Sequence, residues 1–280
     1  MQILNDPKTA RKLIREGKIT THTSSMCPGF IQANLVILQE KHKDEFLEFA
    51  RLNKKAVPVL EVGKTGCKGL EFLCSDVDIC KDIPKYRVFK CGEFAGEFTD
   101  VSGFWQNDFV SVLIGCSFTF EHELTKAGVP LRHIEEGKNV SMYKTNIPLI
   151  PFGKFGGNMV VSMRPVKKED IKKVVKITKK FPHAHGEPIH IGNGEAIGIR
   201  DLQKVDFGDP VSIKEGEVPV FWACGVSGEI AVLGAKLDIV ITHSPGHMLI
   251  CDIKNKDYLK IPANHLTSSF SIKDTSLKNM

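Results

Sequence analysis

Short apolar segments alternate with amphipathic segments along this chain, and that alternation limits the folds open to it. Apolar-rich runs at 35–38 and 109–115 have the length of buried strands, whereas residues 44–52 and 171–178 carry apolar side chains at helical spacing. Strands that alternate with helices favour an α/β fold. We therefore predict mixed, largely parallel sheets with flanking helices. These elements are predicted to form one compact unit, which could consist of two α/β subdomains.

One antiparallel element and three segments are also predicted. Residues 86–90 and 93–99 have the pattern of a β-hairpin. Residues 1–262 are predicted to form the globular unit, in which 147–158, rich in Pro and Gly, is a candidate hinge between subdomains. Residues 263–280 are predicted to form a polar, flexible tail.

Composition is typical of soluble globular proteins. Apolar residues make up 42% and charged residues 25% of the chain, and no apolar run is long enough to span a bilayer. The N-terminal residues lack a signal-peptide pattern, and the 8 cysteines include no C-x-x-C pair. We expect a cytoplasmic protein with reduced thiols and no membrane partner.

Much of the positive charge lies in one segment. Residues 167–180 hold seven lysines against two acidic residues, Glu169 and Asp170, a difference equal to the net charge of +5 on the whole chain. Apolar residues at helical spacing between them indicate an amphipathic helix with a solvated lysine face. Because phosphate-binding surfaces draw basic residues from several elements, we predict no nucleic-acid partner. The sequence does not decide whether the protein forms a homo-oligomer.

Two apolar strands end alike, each running through small residues into a helix. Cys116 and Ser117 follow the first strand, and Cys224 follows the second. Free backbone N–H groups at such a turn can hold a phosphate or a carboxylate. Glu121, one turn into the first helix, either faces the bound anion or only complements the helix N-terminus. The two cysteines fit buried apolar positions better than nucleophiles.

Five of the 10 histidines lie in two short stretches rich in Pro and Gly, 181–192 and 241–248. Imidazole can move protons near neutral pH, bind a metal, or hold an anionic substrate. The histidines proposed for proton transfer or substrate contact are His185, His190, His243 and His247. If a divalent metal binds, the candidate ligands are His183, His185 and His190. No cofactor is otherwise indicated.

Arg132 and Arg164 lie next to Pro or Gly near predicted strand ends, where a guanidinium could anchor a carboxylate. Each could equally form an ion pair within the protein. The glycine-containing segment at 153–157 is too short and misplaced for a nucleotide loop, which argues against ATP use. The ligand most consistent with these features is a small acidic molecule.

Many ordered motifs resemble the D-glutamate cyclase family, whose bacterial members are classed as hydro-lyases. The likeness spans roughly residues 8 to 253. The matching segments are 28–38, 82–88, 114–121, 130–135, 139–146, 160–165, 185–192, 216–225 and 242–248. The resemblance implies that D-glutamate is cyclised to 5-oxo-D-proline with loss of water, a reaction that needs a base, an acid and a carboxylate anchor.

That reaction suggests a role, as a hypothesis, for each candidate residue. Acid and base work is assigned to His185, His190, His243 or His247, with Glu121 as partner. Substrate-carboxylate anchoring is assigned to Arg132, Arg164 and the turn at Cys116 and Ser117. Substrate orientation is assigned to Gln32, Asn34 and Tyr143.

Two other functions stay open. A racemase or epimerase could use Cys116 and Cys224 as opposed proton carriers across one carbon. A non-catalytic protein that binds an acidic small molecule could use the same histidines without turnover.

Overall fold

The computed structural model describes residues 4–258 and contains two β-sheets flanked by helices. The strands are β1 (Phe30–Gln39), β2 (Val59–Val62), β3 (Tyr86–Lys90), β4 (Glu93–Phe98), β5 (Phe109–Gly115), β6 (Ser141–Pro148), β7 (Asn158–Lys167), β8 (His190–Ile191), β9 (Glu217–Ala223), β10 (Ile239–His243) and β11 (Leu249–Lys254). The helices are α1 (Pro7–Arg15), α2 (Lys43–Leu52), α3 (Phe118–Lys126), α4 (Arg132–Glu135), α5 (Ile171–Thr178), α6 (Val226–Gly234) and α7 (Asn255–Tyr258).

The first sheet has the strand order β2-β5-β1-β10-β3-β4. Its central strand, β1, pairs with β5 along one edge, and its other edge is shared by β10 and β11. The second sheet has the order β6-β7-β9-β8. None of the helices between residues 4 and 258 is long and apolar enough to cross a membrane.

The prediction of a largely parallel α/β fold is wrong. Every strand pair in the described part of the chain is antiparallel. The predicted hairpin is present as β3 and β4. The prediction rested on the alternation of strands with helices, and burial of β1 and β5 on both faces is also common in parallel sheets, so nothing local to these strands revealed their antiparallel pairing.

Helices α3 and α6 leave their own sheet and cover the other one. Helix α3 follows β5 of the first sheet, yet its Phe120 packs with Trp222 in the second sheet. Helix α6 follows β9 of the second sheet, yet its Val232 packs with Val36 and Val112 in the first. Because each helix leaves the sheet that it follows, it does not act as a crossover between two parallel strands of that sheet.

These crossing helices belong to two equivalent units, β1-β5-α3 and β7-β9-α6. In each unit a hydroxyl in the first turn of a nine-residue helix accepts a backbone N–H from the long strand: Thr119 Oγ1 from Gln32 at 3.2 Å, and Ser227 Oγ from Val160 at 2.9 Å. The cross-strand pairs Ala33–Gly115 and Val161–Ala223 occupy matching places. Residues 4–258 thus contain an internal structural repeat.

The segment proposed as a hinge, 147–158, connects β6 with β7, and its role as a hinge stays a prediction. The predicted tail, 263–280, lies outside the described residues. The extent of the predicted globular unit, 1–262, likewise stays a prediction.

Replacing Gly115 with Ala should destabilise the fold. A methyl group there would overlap the backbone carbonyl of His183, which cannot move without shifting its turn. We expect a loss of about 1–3 kcal/mol in the free energy of unfolding, measured in urea. Gly234→Ala is the control, because its methyl group would meet open space. Equal stability of the two variants would contradict this packing.

Candidate functional site

The two cysteine-containing turns lie together where the sheets meet. Cys116 and Cys224 share one apolar cluster with Met142 and Met248, among others. Side chains also cross between the units: Asn34 of the first donates to the Gly115 carbonyl at 2.6 Å and packs against the backbone of Gly225. We call this region the junction.

An ion pair, Arg164–Glu121, is buried on one side of the junction. Arg164 Nε donates to Glu121 Oε1 at 2.9 Å, and its Nη2 donates to Ser117 Oγ at the same distance. The guanidinium carbon lies 5.3 Å from the Phe120 ring centre and 5.5 Å from that of Trp222. Strand β7, helix α3 and strand β9 therefore hold these charges between two aromatic faces.

Glu121 is ionised in this environment. Burial alone would raise the pKa of its carboxyl, but His133 and Arg164 outweigh that effect and lower it to about 2. His133 Nε2 lies 3.1 Å from Glu121 Oε1, within ion-pair distance but without hydrogen-bond geometry. A carboxylate this acidic suits the binding of Arg164 better than proton transfer near pH 7.

Glu229 occupies the equivalent place in the second unit, five residues after Cys224 as Glu121 is five after Cys116. Its side chain is buried on the α6 side of the first sheet and accepts from Arg87 Nη1 at 2.5 Å. Thr242 Oγ1 lies 3.4 Å from its second oxygen. Burial raises the pKa of Glu229 to about 7, because Arg87 and Thr242 offset it only in part. The carboxyl can exchange protons near neutral pH.

Arg87 connects this buried carboxyl with a surface cleft of about 320 Å³. Its side chain is 22% exposed, and its guanidinium carbon lies 5.1 Å from the ring centre of the exposed Phe94. The cleft is lined by Arg87, Phe94, Glu97, Phe207, Gly208, Ser244 and Pro245. An accessible guanidinium with a titratable carboxyl behind it can bind a small carboxylate and move a proton.

His185 lies beside the first turn of the junction. Its Nδ1 is 2.9 Å from the Lys55 carbonyl, which can only accept, so Nδ1 carries the proton in the neutral ring. Its buried Nε2 has no hydrogen-bond partner within residues 4–258. Burial lowers the pKa of His185 to about 4, so the ring is neutral at pH 7.

The other predicted histidines are spread over different surfaces. His243 lies on β10, and strand alternation places it on the sheet face opposite Thr242 and Glu229; burial lowers its pKa to about 4. His247 follows in the next turn, within electrostatic range of Glu97 in the cleft. His190 lies on the edge strand β8, where its Nε2 is 2.7 Å from a backbone carbonyl.

Arg132, Gln32 and Tyr143 are bound within the protein. Arg132 Nη2 donates to Glu217 at 2.6 Å. The Gln32 amide bonds to the loop at 23–26. The Tyr143 hydroxyl donates to the Leu202 carbonyl at 2.7 Å, on the sheet face opposite Arg164. We therefore leave all three out of the proposed site.

The thiols of Cys116 and Cys224 are buried and close together. Burial raises the pKa of both, that of Cys224 to about 11. A thiol that removes a proton from carbon near neutral pH needs its pKa lowered, not raised. Their packing in the junction agrees with the prediction that both cysteines occupy buried apolar positions.

The three candidate metal ligands do not converge. The His183 ring lies 4.4 Å from the Tyr258 ring, whereas His185 and His190 bond to separate backbone carbonyls. Between residues 4 and 258, no group of three or more His, Cys, Asp or Glu side chains is arranged to hold a metal ion. We assign no metal ligand from this set.

Sequence reasoning missed Glu229 and Arg87, and one signal could have found the glutamate. Both turns continue as Cys, small residue, apolar residue, hydroxyl residue, any residue, Glu. That pattern runs over 116–121 and again over 224–229. Arg87 lies in the family-matching segment 82–88, but no local pattern connects it with Glu229, which is 142 residues away.

Comparison with known proteins gives a family match and close relatives. The D-glutamate cyclase family model matches residues 110–252. A protein of Clostridium beijerinckii named "Putative hydro-lyase" is 57% identical, covering 90% of this chain and 96% of that protein. The "Putative hydro-lyase YcsI" of Bacillus subtilis is 52% identical, covering 89% and 97%. A solved nitrogen repressor-like protein of Methanococcus jannaschii overlaps with a TM-score of 0.38 and 10% identity.

Replacing Glu121 with Gln should destabilise the protein strongly at pH 7. The change leaves Arg164 buried without its counter-charge, a loss that costs about 3–5 kcal/mol. Because the pKa of Glu121 is lowered, its stabilisation is present above about pH 4.5 and is lost as the pH falls toward about 2. Urea unfolding from pH 2 to 7 measures this. Glu123→Gln, on the exposed face of the same helix, should change stability by less than about 1 kcal/mol.

Replacing Glu229 with Gln should have the opposite pH signature. Its pKa is raised, so the native state holds a proton that the unfolded chain loses between about pH 4.5 and about 7. Wild-type stability should therefore decline through that window by about 2–3 kcal/mol, and this decline should disappear in the variant. Identical pH profiles for variant and wild type would show that folding does not raise the pKa of Glu229.

Proposed function

Because the chain belongs to the D-glutamate cyclase family, we propose that it is a lyase that removes water from D-glutamate to give 5-oxo-D-proline. One observation carries this proposal: the buried Glu229 carboxyl, with a pKa of about 7, accepts a hydrogen bond from Arg87, and Arg87 lines an open surface cleft. Ring closure needs proton transfer near neutral pH beside a carboxylate anchor, and this pair offers both.

The reaction forms one bond and breaks one. The amino nitrogen of D-glutamate attacks its side-chain carboxyl carbon, so a C–N bond forms and a C–O bond breaks. Two protons leave the ammonium nitrogen, and both depart with the released oxygen as water. Nothing is oxidised or reduced. Because both reacting groups belong to one molecule, holding it folded supplies much of the rate enhancement.

We assign Arg87 and Glu229 to the side-chain carboxyl of the substrate. The guanidinium of Arg87, 22% exposed, binds that carboxylate and draws electron density from its carbon. Protonated Glu229 gives one proton to the oxygen that leaves and regains one from the amine, while the second proton passes from the ammonium to the same oxygen through solvent in the open cleft. The buried surroundings that raise the Glu229 pKa supply the proton-bearing form at working pH.

The Arg164–Glu121 pair supports the site from the other side of the junction. It holds Ser117 at the start of α3, and Ser117 Oγ lies 3.4 Å from Ser162 Oγ on the second sheet. Its guanidinium is 1% exposed, so we assign it to structure rather than to substrate binding.

The direct test is product formation. Purified full-length protein is incubated with D- or L-glutamate, with added divalent metal or with chelator, and 5-oxoproline is followed by NMR. We expect product from D-glutamate. Absence of product under all conditions would refute the cyclase proposal. Solvent deuterium at the alpha carbon would instead support the racemase alternative, and ligand binding without turnover would support the binding-protein alternative.

Glu229→Gln should lower kcat by at least about 100-fold, because Gln keeps the shape of the side chain but cannot transfer the proton. The loss is measured by the same NMR assay across pH 5 to 9. Glu123→Gln, which changes an exposed carboxyl, should keep wild-type activity. Full activity of Glu229→Gln in a folded protein would remove Glu229 from the mechanism.

A further inference from the structure

Arg87 and Glu97 face each other across β3 and β4 without forming an ion pair. They are direct cross-strand partners, a position in which side chains of opposite charge usually meet. Arg87 instead turns toward Glu229, and Glu97 accepts from Ser244 Oγ at 2.6 Å. A cation and an anion therefore lie side by side in the cleft, each held by another partner.

The anionic member remains accessible. The side chain of Glu97 is 38% exposed, and Lys85 Nζ lies 3.3 Å from its second oxygen. Each carboxylate oxygen can accept more than one hydrogen bond, so Ser244 and Lys85 leave room for another donor. Ser244 is itself fixed, because its backbone N–H donates to the Lys85 carbonyl at 2.8 Å. The carboxylate is thus positioned before any ligand arrives.

An adjacent cation and anion match a ligand that carries a carboxylate and an ammonium group a few bonds apart. We propose that Glu97, positioned by Ser244, binds the ammonium group of an α-amino acid while Arg87 binds a carboxylate of the same molecule. This makes Glu97 the residue that selects an amino acid over the corresponding hydroxy acid or plain dicarboxylate. The inference rests on the proposed function only for the choice of D-glutamate as the ligand.

The neighbouring side chains fit such a ligand. Phe94 is 56% exposed beside Arg87 and offers an apolar surface to the methylene groups between the two ends of the molecule. The Arg87 guanidinium is also 5.3 Å from the Phe89 ring centre, which limits its rotation. The distance between the cationic and anionic positions is therefore set by the sheet.

The test compares binding of D-glutamate, D-2-hydroxyglutarate and glutarate by titration calorimetry. We expect wild-type protein to bind D-glutamate at least tenfold more tightly than D-2-hydroxyglutarate. Glu97→Gln should reduce that ratio about tenfold by weakening D-glutamate alone. Glu93→Gln, an exposed glutamate at the start of the same strand, should leave the ratio unchanged.

Several outcomes would overturn the inference: an unchanged ratio in Glu97→Gln, equal weakening of both ligands, or no binding of either ligand to the wild type. If Glu97→Gln does not fold, the same titrations are made with Ser244→Ala. We then expect a smaller decrease in the ratio of D-glutamate to D-2-hydroxyglutarate affinity. Because the binding ratio and product formation are measured in separate experiments, a shifted ratio with no 5-oxoproline would refute the cyclase proposal alone. Product formation with an unshifted ratio would refute the role of Glu97 alone.

Discussion

Each sheet of this protein is covered by a helix that begins in the other sheet, and the junction depends on that exchange. Because α3 and α6 cross over, groups distant in the sequence must meet where the sheets join. Glu121 and Arg164 are buried there together, and their attraction and hydrogen bonds offset the cost of removing both charges from solvent. The guanidinium donates to Glu121, Ser117 and Ser162 together, so its buried N–H groups have acceptors.

The same crossing gives two equivalent glutamates opposite properties. Glu121 faces His133 and a fully buried arginine, which together favour its charged form. Glu229 faces one arginine that is partly exposed, so burial dominates its pKa. A difference of environment around one repeated position thus separates a carboxylate that holds structure from a carboxyl that can exchange protons.

The sequence predicted local features better than long-range ones. Apolar runs and turn residues predicted the positions of β1, β5 and the β3–β4 hairpin, because burial and turn geometry depend on residues that are neighbours in the sequence. Strand direction was missed, because the alternation of strands with helices indicates parallel strands, whereas α3 and α6 each cross to the other sheet. The cysteine-containing turns were identified as important, but the histidines drew attention by their number. The histidines lie in loops and on strand faces that are apart from one another. Their separation depends on the tertiary structure and is not visible in the local sequence.

The internal repeat has a consequence for how such a site can change. In a dimer of identical subunits, every substitution occurs twice, and both copies of a position must suit one environment. Within a single chain that carries both units, each copy can vary alone. Ser117 and Gly225 already differ at one matched position, as do Phe120 and Gly228 at another. The covalent link between the units therefore permits an asymmetric centre that two-fold symmetry would forbid.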